Sequence, residues 1–128
     1  MKSLVYLYVA LGGSIGAVSR YYLSNLIDSR GNSIFPWGTF TVNMLGCLII
    51  GLVQALGVEK ALISPNLRIF ISVGLIGALT TFSTFSLETL NILRHGEFKT
   101  ALLNIGGSLL IGLLAVWLGL VIGNTLSK

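Results

Sequence analysis

Apolar positions in this chain gather into four long stretches, at about 4–27, 37–56, 67–93 and 98–126, with short polar connections between them. A helix of roughly 20 apolar residues spans the hydrocarbon of a bilayer. The pattern therefore predicts an all-α membrane protein with four transmembrane helices in a single domain. The third stretch departs from a plain membrane helix. Within it, Gly74-Leu75-Ile76-Gly77-Ala78-Leu79-Thr80-Thr81-Phe82-Ser83-Thr84-Phe85-Ser86 places hydroxyls at Thr80, Thr81, Ser83, Thr84 and Ser86, where a lipid-facing helix carries Leu, Ile or Val. Gly74, Gly77 and Ala78 weaken the helix just before them and allow other backbones to come close. Irregular backbone at membrane depth survives only inside protein or along a cavity, because freed N–H and C=O groups find no partner in hydrocarbon. A break in this helix near residues 77–83 is the expectation. Carbonyls ending one half-helix suit a cation, and donors opening the next suit an anion. The plainer alternative is an unbroken helix whose hydroxyls bond back to their own carbonyls.

The other stretches carry fewer polar residues. In the first, Gly12 and Gly16 have the spacing that lets helices pack closely, and no strand precedes them, which removes a dinucleotide reading. Arg20 interrupts the same helix. An arginine in the membrane costs about 3 kcal/mol on insertion scales, so it snorkels, pairs or lines water. Snorkelling beside Tyr21 and Tyr22 and standing at the mouth of an aqueous path are compatible roles. Lys2 ahead of an apolar run imitates a signal peptide, but three further stretches follow and the expectation is a retained helix. Pro36 suits the first turn of the second helix. There Asn43 lies one turn after Thr39, and its amide either donates to an anion or joins helices. In the fourth stretch Asn104, Ser108 and Gly112 share a face, and Gly119 and Gly123 repeat the close-packing spacing.

Composition agrees with this reading. Of 128 residues, 54% are hydrophobic and 9% charged, and the mean hydropathy of +0.91 lies outside the range of a soluble domain. The net charge of +4 is scattered singly, so nucleic acid is not an expected partner. Cys47 stands alone and reads as a small buried hydrophobe, and His95 has no neighbour at metal-ligand spacing. With four spans, Lys2, Lys60, Arg68 and Lys128 fall on one side, and Arg20, Arg30, Arg94 and Lys99 on the other. The balance removes any orientation preference from the positive-inside rule. Two copies inserted oppositely would pair about an axis in the membrane plane, and four small helices hardly enclose a watery path alone.

The motifs Gly-Gly-x-x-Gly-Ala-x-x-Arg-Tyr from Gly12, Gly-Thr-x-x-x-Asn-x-x-Gly from Gly38 and Gly-x-x-Gly-x-x-Thr-Thr-Phe-Ser-Thr-Phe-Ser from Gly74 resemble the Fluc (CrcB) fluoride channels. The resemblance covers three of the four helices in motif and the whole chain in length and hydropathy. It implies an antiparallel, dual-topology homodimer with two pores, in a microbial plasma membrane, relieving fluoride toxicity by passive export. It also implies a structural Na⁺ at the dimer centre, held by backbone carbonyls of Gly77 and Thr80. Phe82 and Phe85 match the phenylalanines that line the pores, Asn43 and Ser108 match polar pore positions, and Arg20 matches the vestibule arginine. Thr39, Ser83, Thr84 and Glu88 are further candidates. Some relatives carry a tyrosine where this chain has Asn104 and a serine where it has Gly112, which alters the outer polar track.

Two other readings compete. A proton-coupled exporter of dual-topology type would use Glu88 as its titrating group, although such exporters carry an acidic residue in the first helix and this chain has none there before Asp28. A structural subunit without transport is the other. An enzyme is least expected, because no nucleophile, base and orienting group fall together.

Overall fold

The computed structural model describes residues Lys2–Leu126, which are helical apart from short connections. Helix α1 (Lys2–Asp28) leads through a loop to α2 (Trp37–Gln54), which winds on as a π-helical turn, Ala55–Glu59. The third helical stretch begins as α3 (Pro65–Ile69), continues π-helically through Phe70–Ile76 and ends in α4 (Gly77–Leu79). After a two-residue interruption the chain resumes as α5 (Phe82–Arg94), and α6 (Phe98–Leu126) completes the bundle.

Local chemistry sets these ends. The Asp28 carboxylate, at the end of α1, accepts the N–H of Gly38 in the first turn of α2 at 2.8 Å, so one helix end caps the next. Pro36 sits just before α2, and its carbonyl accepts from Phe40. Ser64 caps α3 by accepting the N–H of Leu67, with Pro65 at the first helical position. At the end of α5, Gly96 takes a φ of +80°, and the N–H groups of Gly96 and Glu97 return to the carbonyls of Leu93 and Ile92. That pairing is a Schellman stop, and only glycine adopts its left-handed residue without strain. His95 closes the same end, its Nδ1 2.7 Å from the Asn91 carbonyl.

Three stretches, Trp37–Glu59, Pro65–Arg94 and Phe98–Leu126, are long and apolar enough to cross a membrane. Helix α1 has the length, at 27 residues, but Arg20, Asp28 and several serines and tyrosines dilute it, so the four expected spans are not of one kind. It lies mainly along the π-helical part of the third stretch, while α2 and α6 pack along each other. Both contacts depend on absent side chains. A Cβ at Gly12 would meet the Phe70 carbonyl, and one at Gly16 the Leu75 carbonyl. A Cβ at Gly51 would meet the Val116 carbonyl, and one at Gly119 the Leu48 carbonyl. The small-residue spacings thus serve close backbone approach, as their pattern suggests. Val42, Ala55 and Ala101 are fully buried between helices, whereas large apolar side chains of α1, α5 and α6 face outward, as expected of helices solvated by lipid.

Candidate functional site

The site is built around the interruption of the third stretch. Thr80 and Thr81 are extended, with φ, ψ of −87°, 156° and −150°, 121°. Extended residues between two helices leave backbone groups without helical partners, and Asn43 of α2 supplies what is missing. Its Oδ1 accepts the Thr81 N–H at 2.8 Å, while its Nδ2 donates to the Thr81 carbonyl at 3.1 Å. One amide side chain therefore does for Thr81 what a neighbouring strand would do. Because the Thr81 N–H points to Asn43, the Gly77 carbonyl loses the donor that a continuous helix would give it.

The hydroxyls divide by role. Thr81 Oγ1 caps α5 by accepting the Thr84 N–H at 3.2 Å, and it donates to Thr84 Oγ1 at 3.1 Å. Thr80 and Ser86 bond back to the carbonyls of Ile76 and Phe82. For these two hydroxyls the plainer reading is correct. Ser83 lies within 3.4 Å of Thr81 Oγ1 and is otherwise exposed.

Two hollows meet at the interruption, and Thr81 lines both. The larger, about 500 Å³, is bounded by Asn43, Thr80, Phe82, Phe85, Ser108 and Gly77, with apolar walls from Met44, Cys47, Ile50, Ile76 and Leu109. Among the described residues, no charged side chain lines it. Phe82 and Phe85 face the same way, ring centroids 5.8 Å apart, and Phe82 is 80% exposed in the single chain. The smaller hollow, about 390 Å³, contains Arg20, Tyr21, Ser24, Thr39 and Thr84, with no carboxylate from the described residues among its walls. Thr39 Oγ1 donates to Glu88 Oε1 at 2.8 Å, and the buried Oε2 of Glu88 has no partner. Glu88 lines neither hollow but a third, about 190 Å³, with Asp28, Phe35 and Trp37.

Of the residues expected at a site, Asn43, Phe82, Phe85, Ser108, Gly77 and Thr80 thus meet around one hollow. Arg20, Thr39 and Thr84 meet around the other, and Ser83 lines neither. Asn104 is turned inward, 1% exposed, and lines neither. Its Nδ2 donates to Thr89 Oγ1 at 2.8 Å, and Ser108 Oγ lies 3.5 Å from its Oδ1. Gly112 faces Met44 and Cys47. Sequence reasoning missed Ser72 and Cys47 as wall residues and Thr89 as a partner. Their spacings held the signal: Ser72, Ile76 and Thr80 recur every four residues, as do Asn43 and Cys47, and Phe85 and Thr89.

The arrangement offers an uncharged, partly aromatic hollow beside a second hollow that carries Arg20, with no nucleophile and base in contact among the described residues. Comparison with known proteins agrees in kind. Residues 7–120 match the family model described as CrcB-like protein, Camphor Resistance (CrcB). The chain is 50% identical over 119 residues to a protein of Acidobacterium capsulatum named fluoride-specific ion channel FluC, covering 93% of this chain and 95% of that one. It is likewise 50% identical over 116 residues to a Magnetococcus marinus protein of the same name, covering 91% and 94%. A Geotalea uraniireducens relative with that name is 43% identical over 120 residues, covering 94% and 97%. With nearly its whole length matched, this chain belongs to the CrcB family of membrane channels, not to any class of enzyme.

Proposed function

We propose that this protein is a fluoride-selective channel that lets the ion leave the cytoplasm down its electrochemical gradient. The observation that carries the proposal is the uncharged hollow at the interruption, where Asn43, Ser108 and the rims of Phe82 and Phe85 stand together. Fluoride is small and strongly hydrated, so it enters protein only where donors already in place replace its water. A fixed cation in the hollow would hold it too tightly to leave. Neutral amides, hydroxyls and the electropositive edges of aromatic rings attract it without trapping it. Asn43 spends one N–H on Thr81 and keeps a second for the ion. Arg20, in the adjoining hollow with Thr39, Thr84 and Tyr21, draws anions toward the mouth. Ser83, in the first turn of α5, is an exposed hydroxyl beside Thr81.

The working unit in this reading is a homodimer of oppositely inserted copies in the plasma membrane, where export of fluoride relieves its toxicity. Exposure of Phe82 supports it, since a pore ring needs a second wall. So does the even division of eight cationic side chains between the two sides. A structural Na⁺ at the dimer centre fits the donors that this chain presents. Gly77 is exposed and its carbonyl is released from helical bonding, Thr80 follows in extended conformation, and hard oxygens at a helix C-terminus suit a small cation. Bound there, Na⁺ would tie the interrupted stretches of two copies together. The proton-coupled alternative through Glu88 is not favoured, because that carboxylate faces away from the hollow and toward Asp28.

Purified protein in liposomes loaded with fluoride or with chloride tests the proposal. Fluoride should leave rapidly without a proton gradient while chloride stays inside. Equal efflux of the two ions, or flux that requires protons, would overturn it.

A further inference from the structure

Helix α5 carries both pore rings, yet apart from its start it touches little of the bundle. It packs chiefly on α6 and only lightly on α2. Among the described residues three polar contacts hold it: Asn43 at Thr81, Thr39 at Glu88, and Asn104 at Thr89. Of these, the last joins two buried side chains, with Asn104 1% and Thr89 6% exposed.

The bonds in that contact run in one direction. Thr89 has one hydroxyl proton, which it donates to the Phe85 carbonyl at 2.7 Å. Its oxygen accepts from Asn104 Nδ2. The amide presents Oδ1 to the other side, where the Ser108 hydroxyl points to it at 3.5 Å, the outer limit of a hydrogen bond. The chain of donors runs from Ser108 through Asn104 and Thr89 to the backbone of Phe85. One end is a hydroxyl of the larger hollow, and the other is the carbonyl of a ring that lines it. The amide between them is sealed from the hollow and from lipid.

We infer that Asn104 is a positioning residue, which through Thr89 fixes the turn of α5 bearing Phe85 and orients the Ser108 hydroxyl on the opposite wall. It touches no ion. Its work is to set the separation of two pore groups that sit on different helices. The inference rests on the reading of the larger hollow as the fluoride path, and it needs only this chain's own side chains.

Thr89→Val tests it with least disturbance, because valine keeps the shape of threonine and removes only the hydroxyl. Fluoride efflux from liposomes should fall roughly ten-fold or more, as a buried amide left without its acceptor shifts to find another. Thr89→Ser, which restores the hydroxyl, should conduct close to the parent protein. Asn104→Leu should fall as far as Thr89→Val, and the double variant no further, since both cut the same relay. A 4-fluorophenylalanine label at position 85 should give a displaced or broadened ¹⁹F signal in Thr89→Val and the parent signal in Thr89→Ser. Parent-like flux in Thr89→Val overturns the inference, as does an unchanged label signal. A parent protein that passes no fluoride would instead overturn the function on which it rests.

Discussion

At the scale of single residues, Asn43 shows how one side chain makes an irregular backbone tolerable. Its amide matches a donor and an acceptor of Thr81 at once, at 2.8 and 3.1 Å. Asn43→Asp is almost isosteric but, ionised, has no N–H to give, so an oxygen faces the Thr81 carbonyl. Leaving one buried polar group unmatched costs about 1–3 kcal/mol. Fluoride efflux should fall at least ten-fold and the melting temperature in detergent should drop, whereas undiminished flux would remove Asn43 from the path. Phe82 is the opposite case. It is 80% exposed in the single chain and supports little of its packing. Phe82→Ile should remove most fluoride flux while the melting temperature of the protein stays near its parent value. The chemistry of these residues was legible in the sequence, since an amide and paired rings at helical spacing are unusual in a membrane helix. That both ends of the Asn43 amide are occupied was not, because it depends on the register of α2 against a stretch 38 residues away.

At the scale of elements, the interruption was expected across residues 77–83 and proves to occupy Thr80 and Thr81 alone. The polar cluster marked the place, but the first half of the third stretch is π-wound over Phe70–Ile76, which no local preference announces. That π-helical segment lies against α1, where Gly12 and Gly16 let the two backbones nearly touch. Gly74 returns the contact, since a Cβ there would come within 2.9 Å of the Val9 carbonyl. The glycine spacing in α1 was therefore readable as a packing signal, and only its partner was hidden. Gly16→Val drives a branched side chain into the Leu75 carbonyl, a backbone atom that cannot swing away. Overpacking of this kind costs about 1–3 kcal/mol. Its melting temperature in detergent should drop by several degrees and fluoride flux with it, because the displaced segment leads through α4 to Thr80. Gly31→Ala, at a loop glycine with open space around it, serves as the control and should melt as the parent does. If both variants melt alike, the close contact of α1 with the third stretch does not support the fold.

At the scale of the whole molecule, the charge balance and the half-finished surface ask the same question. Three strongly apolar stretches and a more polar α1 make a bundle whose larger hollow is lined by Phe82, a ring exposed in the single chain. A second copy in the same orientation would give each side of the membrane a different mouth. A copy in the opposite orientation makes the two faces equivalent and requires that insertion be indifferent to direction. In the proposed inverted dimer, the four-against-four division of cationic residues expected from the sequence is what would allow that indifference. Small charge changes should therefore decide orientation. Ser29→Lys with Asn32→Lys, in the connection between α1 and α2, should hold that side to the cytoplasm, and Leu62→Lys with Asn66→Lys should hold the other. Either pair alone leaves copies facing one way, and topology reporters at the C-terminus should then read a single side. Membrane vesicles from cells making one pair should lose most fluoride flux, and cells making both pairs should recover it. Strong flux from a population proved to face one way would mean that the pore forms without an inverted partner. The even charge count would then be incidental, and the exposed rings would need some other wall.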